Sequence, residues 1–417
     1  MDIEDIRRLY PALQDGDVLL ENAGGSQLPE PVIEAITNHL RHDYCQLGAG
    51  YPASDRATAT VDRAHRFMER FAGGEGIGRV ILGSSCTSLM HVLAHAIAAT
   101  IRPGDEIVVC EQGHEANIGC WLGLQKAGAV IRWWKVDPET GSLSLEGLES
   151  VLSENTRLVA FPHVSNLLGE IVDVEAATRL VHHAGARVVV DGVAYAPHRA
   201  IDVARWGVDF YVWSTYKVYG PHMGALFGRS EALAELQGPN HFFIPDEDVA
   251  YKFELGGASH EGCAGLCGLA PVLASLADPG NDAEVDADSC SRDTIVAAFA
   301  AMTALEAPVQ TRLLERLRRH DGVRIVGPIS PEIDDRVSTV SFTHFQRDPE
   351  NIVDVAKQAG IGIRHGHMYA YRLCTALGIS PDPGVVRVSA VHYNTVSEID
   401  RLMDAIDPML EDSSIGA

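Results

Sequence analysis

The sequence contains few cysteines, few basic residues and no long uncharged apolar run. Its eight cysteines are sparse for 417 residues and show no paired CxxC spacing, which argues against a disulfide framework and a zinc site. Its 33 Lys and Arg face 57 Asp and Glu, so a formal net charge of −24 disfavours an electrostatic grip on nucleic acid or an anionic membrane. No uncharged stretch is long enough to cross a bilayer. We expect no metal site, no nucleic-acid partner and no membrane association.

The length and the apolar content are those of a protein with a large core. With 417 residues and 46% hydrophobic content, the chain can form two or more domains in one compact unit. Its first residues lack a basic segment followed by an apolar one. We therefore expect a cytoplasmic protein without a targeting segment.

Strand and helix patterns alternate along the first 230 residues. Short β-branched or aromatic runs predict strands at Arg79–Gly83, Glu106–Cys110, Val130–Trp134, Leu158–Phe161, Arg187–Asp191 and Phe210–Trp213. Helical patterns lie between them at Ser88–Thr100, Ile118–Ala127, Leu145–Leu152 and Glu175–Ala184. Because strands that alternate with helices form βαβ units, we predict an α/β fold with a mostly parallel central sheet.

The pattern changes after Asp293. It predicts two helices (Thr294–Leu305 and Val309–Arg319), a strand pair (Val323–Val326 and Val337–Phe342) and a closing helix (Ser397–Leu410). We predict a large α/β domain over residues 15–270 and a smaller α+β domain formed by residues 1–14 and 290–417. The segment 278–290 is acidic and rich in turn residues, which predicts an exposed loop.

Two reactive side chains follow predicted strands of the sheet. Asp191 closes the apolar run Arg187–Asp191, and Lys217 comes shortly after the run that begins at Phe210. Ligands of open α/β sheets bind beyond the carboxyl ends of such strands. A pyridoxal phosphate enzyme needs an amine for the Schiff base and a carboxylate to keep the pyridine nitrogen protonated. A strand-end salt bridge is the alternative interpretation.

A phosphate site is predicted where the segment Gly83–Ser88 leaves a strand and opens a helix. A helix start presents free N–H groups and a positive dipole end to an anion, and Ser85 and Cys86 stand at this point. Taken alone, the segment would be an ordinary N-cap, because Ser and Thr cap many helices. Its position ahead of the other motifs favours the phosphate site.

Further candidates lie in loops after strands and near the end of the chain. His114 could lay its ring over a planar cofactor, and Asn166 could bond to a ring hydroxyl, although a surface histidine and a turn asparagine are the alternatives. Arg387 lies in an apolar strand pattern, where a guanidinium usually grips a carboxylate. An amino-acid substrate would supply that carboxylate.

The segment that begins at Arg364 is rich in His and Tyr. It contains His367, Tyr369 and Tyr371. Arg364, His367 and Tyr369 are candidate substrate-binding residues, and an ordinary packed loop is the alternative interpretation.

Together these motifs resemble the class V aminotransferase superfamily of fold type I pyridoxal phosphate enzymes, and most closely its cysteine desulfurase-like branch. The resemblance spans nearly the whole chain. It rests on His114-Glu-Ala-Asn117, His163-Val-Ser-Asn166, Val190-Asp191-Gly192, the run from Ser214 to Pro221, and Arg387-Val-Ser followed by Tyr393-Asn394-Thr395.

The resemblance implies a role for each matched residue. His114 would stack on the pyridine ring, Asn166 would bond near the ring hydroxyl, and Asp191 would hold the ring nitrogen. Ser214 would bind the phosphate, and Lys217 would form the Schiff base. Arg387 would bind the substrate carboxylate. Relatives of fold type I are homodimers with active sites at the interface, so the resemblance implies the same arrangement here.

The departures from the family pattern concern the reaction. Tyr369 stands where the closest cysteine desulfurases keep their nucleophilic cysteine, and Cys374 is five residues further on in a predicted helix. Other family residues are replaced as follows: the glutamine after the aspartate by Ala194, the histidine before the lysine by Tyr216, and the partner-subunit threonine by Gly257, with Ser259 or His260 as substitutes.

The chain has the desulfurase-like motifs but not the cysteine, and this combination predicts β-elimination. That is a C–S lyase-like reaction on a cysteine-like or otherwise β-substituted amino acid. Lys217 would be the base and Arg387 the carboxylate clamp, while His367, Tyr369 and Tyr216 are candidate acids. Aminotransferase and amino-acid epimerase reactions need the same lysine and remain alternatives. A true cysteine desulfurase and a non-catalytic protein that binds pyridoxal phosphate are further alternatives.

Overall fold

The computed structural model describes residues 2–280 and 284–411, so part of the predicted acidic loop, residues 281–283, lies outside the described residues. The strands are β1 (Val18–Leu19), β2 (Gly78–Gly83), β3 (Glu106–Cys110), β4 (Val130–Trp134), β5 (Thr156–Pro162), β6 (Arg187–Asp191), β7 (Phe210–Ser214), β8 (Gly224–Arg229), β9 (Val323–Val326), β10 (Thr339–His344), β11 (Ile361–Gly362), β12 (Arg364–Gly366) and β13 (Val385–Ser389).

The helices occupy the segments between these strands. They are α1 (Ile3–Arg8), α2 (Glu30–His42), α3 (Pro52–Phe71), α4 (Cys86–Ala98), α5 (Ala116–Leu122), α6 (Leu145–Glu149), α7 (Val174–His183), α8 (Val203–Trp206), α9 (Ser230–Ala234), α10 (His260–Cys267), α11 (Leu269–Ala277), α12 (Arg292–Leu317), α13 (Pro349–Gln358), α14 (Tyr371–Ala376) and α15 (Val396–Leu410). Within the described ranges, no helix has the length and apolar character needed to cross a bilayer.

The large sheet has the strand order β2-β8-β7-β6-β5-β3-β4. Its strands β7, β6, β5, β3 and β4 are parallel, whereas β8 runs antiparallel to both of its neighbours. The predicted α/β fold with a mostly parallel central sheet is therefore confirmed. Strand β8 was not predicted from the sequence.

Both faces of the large sheet are covered, which explains the nearly continuous apolar character of its strands. In β6, Val188 and Val190 pack in the hydrophobic cluster on one face, while Val189 packs in the cluster on the other. This alternation follows from the two-residue period of a strand. It leaves the strand ends as the places where polar side chains can meet.

The second sheet is smaller and wholly antiparallel, with the order β12-β13-β10-β9. Its core contains Val340, Phe342, Val386 and Val388 and is covered by α13 and α15. This is the predicted α+β unit. The predicted membership of residues 1–14 stays a prediction; in the structure Ile6 and Tyr10 pack in a cluster of the large sheet.

The two helices predicted on either side of residue 308 are wrong as separate elements. The structure has one helix, α12, in which Pro308 lies in the interior. Proline costs a helix one hydrogen bond, but the apolar side chains before and after it are buried in different clusters. Packing at both ends therefore outweighs the local effect of the proline.

The predicted segment Ile118–Ala127 is also not one helix. The α-helix ends at Leu122, and Gly123–Ala127 form a 3-10 helix. The glycine at this junction has low helix propensity, which fits the tighter turn.

Candidate active site

The carboxyl ends of four parallel strands bring the predicted site residues together. His114 follows β3, Asn166 follows β5, Asp191 ends β6, and Lys217 follows β7 in a 3-10 turn over Thr215–Lys217. Their charges influence one another, because Lys217 affects the pKa of both His114 and Asp191. This is the sheet edge at which ligands of open α/β folds bind.

The amine of Lys217 has an unusually low pKa. Burial disfavours the charged form, the positive charge of Arg387 acts in the same direction, and Asp191 opposes both; together they lower the pKa to about 8. A lysine in such an environment supplies more neutral, nucleophilic amine near pH 7 than a surface lysine does. The residue as a whole is partly buried, and burial is the largest influence on its amine.

Asp191 is a buried carboxylate at the end of β6. Burial raises its pKa, and the N–H of Val193, which donates to Oδ1 at 3.0 Å, and the charge of Lys217 oppose that change. A carboxylate held in this way can accept a hydrogen bond from a protonated ring nitrogen.

The start of α4 is the predicted phosphate cradle. Ser85 caps the helix, since its hydroxyl accepts from the N–H of Ser88 in a reciprocal capping box. The hydroxyl of Ser214 donates to the Sγ of Cys86 at 3.2 Å. Burial raises the pKa of Cys86, so its thiol stays neutral beside the cradle.

Gly224 in β8 lets this helix start lie directly on the sheet. A Cβ at this position would be 2.4 Å from the carbonyl carbon of Ser85 and 2.5 Å from the nitrogen of Cys86. Such distances are well inside van der Waals contact, so only glycine fits without a backbone shift. Strand β8 therefore sets the position of the predicted phosphate site.

His114 is held as a neutral imidazole. Burial lowers its pKa to about 4, and the charges of Lys217 and Arg387 add to that effect. Its Nδ1 accepts the N–H of Ala116 at 3.0 Å, which assigns the proton of the neutral ring to Nε2. The ring of Tyr369 lies next to it, with centroids 5.0 Å apart and an interplanar angle of 31°.

Tyr369 projects from a tight turn. Met368 and Tyr369 have positive φ angles of 49° and 61°. The amide nitrogen of Asn166 donates to the carbonyl of Met368 at 2.7 Å, and the N–H of Glu115 donates to that of Tyr369 at 2.8 Å. Asn166 is thus placed beside the site, but its side-chain amide also fastens this turn.

Cys374 does not reach the crevice. It is fully buried in α14 among the apolar side chains Leu167, Leu168 and Leu373, and burial raises its pKa to about 11. A thiol in this position is neither exposed nor ionised at neutral pH.

Arg387 lies in β13 and is buried, with a pKa lowered to about 10 by that burial and partly restored by Glu21. Its Nη1 donates to the carbonyl of Asn166 at 3.2 Å, and its Nη2 donates to Oε1 of Glu21 at 3.0 Å. Its Nε has no hydrogen-bond partner among the described residues. A buried guanidinium with a free donor is suited to an incoming carboxylate.

Glu21 is the site residue that the sequence analysis missed. It follows β1, and Ser389 of β13 pairs with it in an isolated parallel bridge. The sequence offers only one signal for it, an acidic residue at the end of a short apolar run and ahead of the glycine turn Ala23-Gly24-Gly25. Nothing in that signal points to an arginine 366 positions away.

The remaining predicted residues are Arg364, His367 and Tyr369. Arg364 is largely exposed, with its Nη1 3.8 Å from Oε1 of Glu21. His367 and Tyr369 border a cavity of about 730 Å³. Its other lining residues are Glu111, Glu115, Trp133, Lys135, Tyr371, Arg372, Thr375 and Ala376.

The positions that depart from the family pattern have identifiable surroundings. Ala194 packs with Val164 and Val337, so no amide group stands there. The ring of Tyr216 is stacked on that of His222, with centroids 4.3 Å apart, and burial raises its pKa. Gly257 lies on a second cavity that also borders the Gly83 and Ser84 end of the cradle.

The site has the donor set that pyridoxal phosphate requires. It offers a low-pKa amine, a buried carboxylate and an anion cradle whose floor a Cβ would fill, and a neutral imidazole lies beside them. The Nε of Arg387 is buried and has no hydrogen-bond partner among the described residues. The residues present therefore fit the cofactor and an amino-acid substrate.

The chain is similar to known proteins along nearly its whole length. The chain is 38% identical over 417 residues to the aminotransferase-like protein FGM3 of Gibberella zeae, covering 98% of each. It is 32% identical over 423 residues to a probable cysteine desulfurase of Mycolicibacterium paratuberculosis, covering 98% of this chain and 58% of that protein.

A solved structure shows the same fold. The apo structure of a cysteine desulfurase from Thermococcus onnurineus matches with a TM-score of 0.84 and 23% identity, covering 98% of both chains. The family model for class V aminotransferases matches residues 18–252 and 296–402. This chain therefore belongs to the class V aminotransferase family and is an enzyme that depends on pyridoxal phosphate.

Proposed function

We propose that this enzyme is a lyase that eliminates the β-substituent of a cysteine-like or otherwise β-substituted amino acid. One observation supports the proposal: Tyr369 lies beside His114, while Cys374 is fully buried in α14. The resemblance implies that Tyr369 stands where the closest cysteine desulfurases keep their nucleophilic cysteine. A desulfurase needs an accessible thiol to take the sulfur. An elimination needs only a base, a carboxylate clamp and a proton donor.

The cofactor would be held by the groups that fit it. The start of α4 and Ser214 would bind the phosphate, Asp191 the ring nitrogen, His114 the ring face, and Lys217 the aldehyde carbon. When bound, pyridoxal phosphate supplies an electron sink that stabilises the negative charge left when the α-proton departs.

The chain's own residues would handle the substrate and its protons. The guanidinium of Arg387 would bind the substrate carboxylate through its free Nε. The Nζ of Lys217 would accept the α-proton, which a pKa of about 8 allows near neutral pH. The neutral His114 would not compete for that proton, because its pKa is lowered to about 4.

The elimination itself breaks the bond between Cβ and the leaving atom. For a thioether, the bonding electrons leave with sulfur, and a proton from His367, Tyr369 or Tyr216 would convert the thiolate to a thiol. Hydrolysis of the remaining three-carbon fragment consumes one water and yields pyruvate and ammonia. The reaction involves no net oxidation or reduction.

The test incubates the holoenzyme with S-methyl-L-cysteine and measures pyruvate, ammonia and methanethiol. We expect the three products in equal amounts over many turnovers. L-Cysteine in the same assay separates two reactions, since elimination yields pyruvate and hydrogen sulfide whereas a desulfurase yields alanine. Alanine from cysteine would overturn the proposal. So would conversion of the cofactor to its pyridoxamine form with one equivalent of the matching keto acid and no methanethiol.

A matched pair of variants tests the proton donor. Tyr369→Phe removes one phenol beside His114, whereas Tyr44→Phe removes an exposed phenol from the segment between α2 and α3. If Tyr369 protonates the leaving group, its loss lowers kcat about 10² to 10⁴-fold for a poor leaving group and less for a good one. An equal loss for good and poor leaving groups would assign the acid role to His367 or Tyr216.

We also propose that two copies of the chain form the active enzyme. A surface cavity of about 680 Å³ borders the phosphate cradle at Gly83 and Ser84 and reaches Gly257, Ala258 and Ser259. Within one copy this cavity separates the segment from the cradle. The resemblance implies that in a homodimer the segment of one copy reaches the cradle of the other. Light scattering of the purified holoenzyme tests this proposal, and a monomer with full activity would refute it.

A further inference from the structure

We propose that Glu21 is a specificity-determining residue that competes with the substrate carboxylate for Arg387. The inference rests on the proposed function only in assigning Arg387 to the substrate carboxylate. In addition, the carboxylate of Glu21 already occupies Arg387, and an arriving substrate has to displace it.

The geometry places one carboxylate between two guanidinium groups. Oε1 of Glu21 accepts from Nη2 of Arg387 at 3.0 Å and lies 3.8 Å from Nη1 of Arg364. Arg387 is almost wholly buried, whereas Arg364 is largely exposed. The shorter contact is thus made with the guanidinium that water solvates least, where a charge-assisted hydrogen bond is strongest.

The backbone around Glu21 is fixed, but its carboxylate is not. The N–H of Ser389 donates to the carbonyl of Leu20 at 2.7 Å, and the N–H of Asn22 donates to the carbonyl of Ser389 at 3.3 Å. Hydrogen bonds on both sides therefore hold the main chain of Glu21 against β13. The side chain is about one-third exposed at 32%, which leaves its end free to turn towards Arg364.

Gly24 makes room for the present position of the carboxylate. A Cβ at Gly24 would lie 2.3 Å from both carboxylate oxygens of Glu21. Because those oxygens are the end of a flexible side chain, an alanine at this position would move the carboxylate rather than the backbone. Gly24 thus provides a way to displace Glu21 without changing its charge.

The consequence is a penalty on substrates that carry a carboxylate. In the substrate-free site, Glu21 neutralises a buried positive charge that would otherwise be costly. A substrate carboxylate gains the hydrogen bonds of Arg387 only after Glu21 has given up Nη2 and moved to Arg364. An amine without a carboxylate incurs no such exchange. Glu21 therefore reduces the difference in binding affinity between amino acids and simple amines.

Two probes that differ only in the carboxylate test the proposal. 2-Aminoisobutyrate lacks an α-proton and cannot undergo elimination, and isopropylamine is the same molecule without the carboxylate. Their dissociation constants follow from titrating the visible absorption of the holoenzyme. In Glu21→Gln we expect the dissociation constant of 2-aminoisobutyrate to fall about tenfold, as a charge-assisted contact becomes a neutral one, and that of isopropylamine to stay unchanged.

The variants separate competition from a structural role. Like Glu21→Gln, Gly24→Ala should lower the dissociation constant of 2-aminoisobutyrate and leave that of isopropylamine unchanged. Glu175→Gln, at a partly exposed carboxylate paired with Arg205, should change neither constant. Equal changes for both probes, or weaker binding of 2-aminoisobutyrate in Glu21→Gln, would overturn the proposal. Neither titration depends on turnover, so a failure of the lyase assignment would leave this result untouched.

Discussion

Replacing Gly224 by Ala should weaken cofactor binding through the backbone of the phosphate cradle. The new Cβ would be 2.4 Å from the carbonyl carbon of Ser85, about 1 Å inside ordinary contact, and its neighbours are backbone atoms that no side-chain rotation can move. The start of α4 must therefore shift by about that distance. A hydrogen bond of about 2.9 Å to a phosphate oxygen would lengthen to about 3.9 Å and be lost.

The size of the effect follows from the number of such bonds. A hydrogen bond to a charged group contributes about 1.5–3 kcal/mol, so the loss of one raises the dissociation constant of pyridoxal phosphate at least about tenfold. The assay titrates the apoenzyme with the cofactor and follows visible absorption. Thermal unfolding of the apoenzyme, measured in parallel, reports the cost of overpacking, which is about 1–3 kcal/mol.

Gly228→Ala is the matched control on the same strand. Its Cβ would be 2.7 Å from Cγ of Leu233, a side chain of α9 that can rotate away, and the position lies four residues from the cradle. We expect Gly228→Ala to lower thermal stability without changing cofactor affinity. If both variants lost stability and both kept the wild-type dissociation constant, the start of α4 would not be the phosphate site.

Three further predictions concern titration and stability. The rate at which the apoenzyme attaches the cofactor should rise with pH and level off above pH 8, because Lys217 has a pKa of about 8. Arg387→Gln removes a positive charge that lowers this pKa, so the midpoint of the pH–rate curve, measured by stopped-flow absorption, should move to higher pH. Burial alone would lower the pKa of His65, but the contact with Glu254 outweighs it and the pKa is raised to about 9. The ion pair therefore stabilises the folded protein fully below about pH 6.5, and this contribution is lost as the pH rises through about 9. Urea unfolding should show the stability difference between wild type and His65→Gln shrinking over that window, and a pH-independent difference would contradict the ion pair. Pro308→Ala, at an exposed position of α12, should raise the free energy of unfolding by about 1 kcal/mol in the same assay. An unchanged free energy of unfolding would mean that the proline does not destabilise the helix.

The parts of the site that depend on local pattern could be predicted from the sequence. Asp191 and Lys217 follow runs of β-branched or aromatic residues, and such runs in an α/β protein end at one edge of the sheet. The positions of His114 and Asn166 were predicted in the same way. Their roles stay predictions.

The parts that depend on distant contacts could not be predicted. Strand β8 begins with a glycine and has another at Gly228, so its pattern is weak, and its direction follows only from its place between β2 and β7. The contact of Glu21 with Arg387 joins positions 366 residues apart. At Pro308, a local rule predicted a helix boundary that packing at both ends of α12 overrides.

Helix α12 has a consequence for how the chain can be divided. It has 26 residues and is about 39 Å long, with Ile295, Phe299 and Met302 in a cluster of the large sheet and Val309 and Leu313 in the cluster of the small one. A cut anywhere in this helix leaves one fragment with an uncovered apolar stripe. Fragments made by protease or by gene truncation should therefore aggregate when separated and recover solubility only when mixed, so the two sheets behave as one unit in folding although they are two units in architecture.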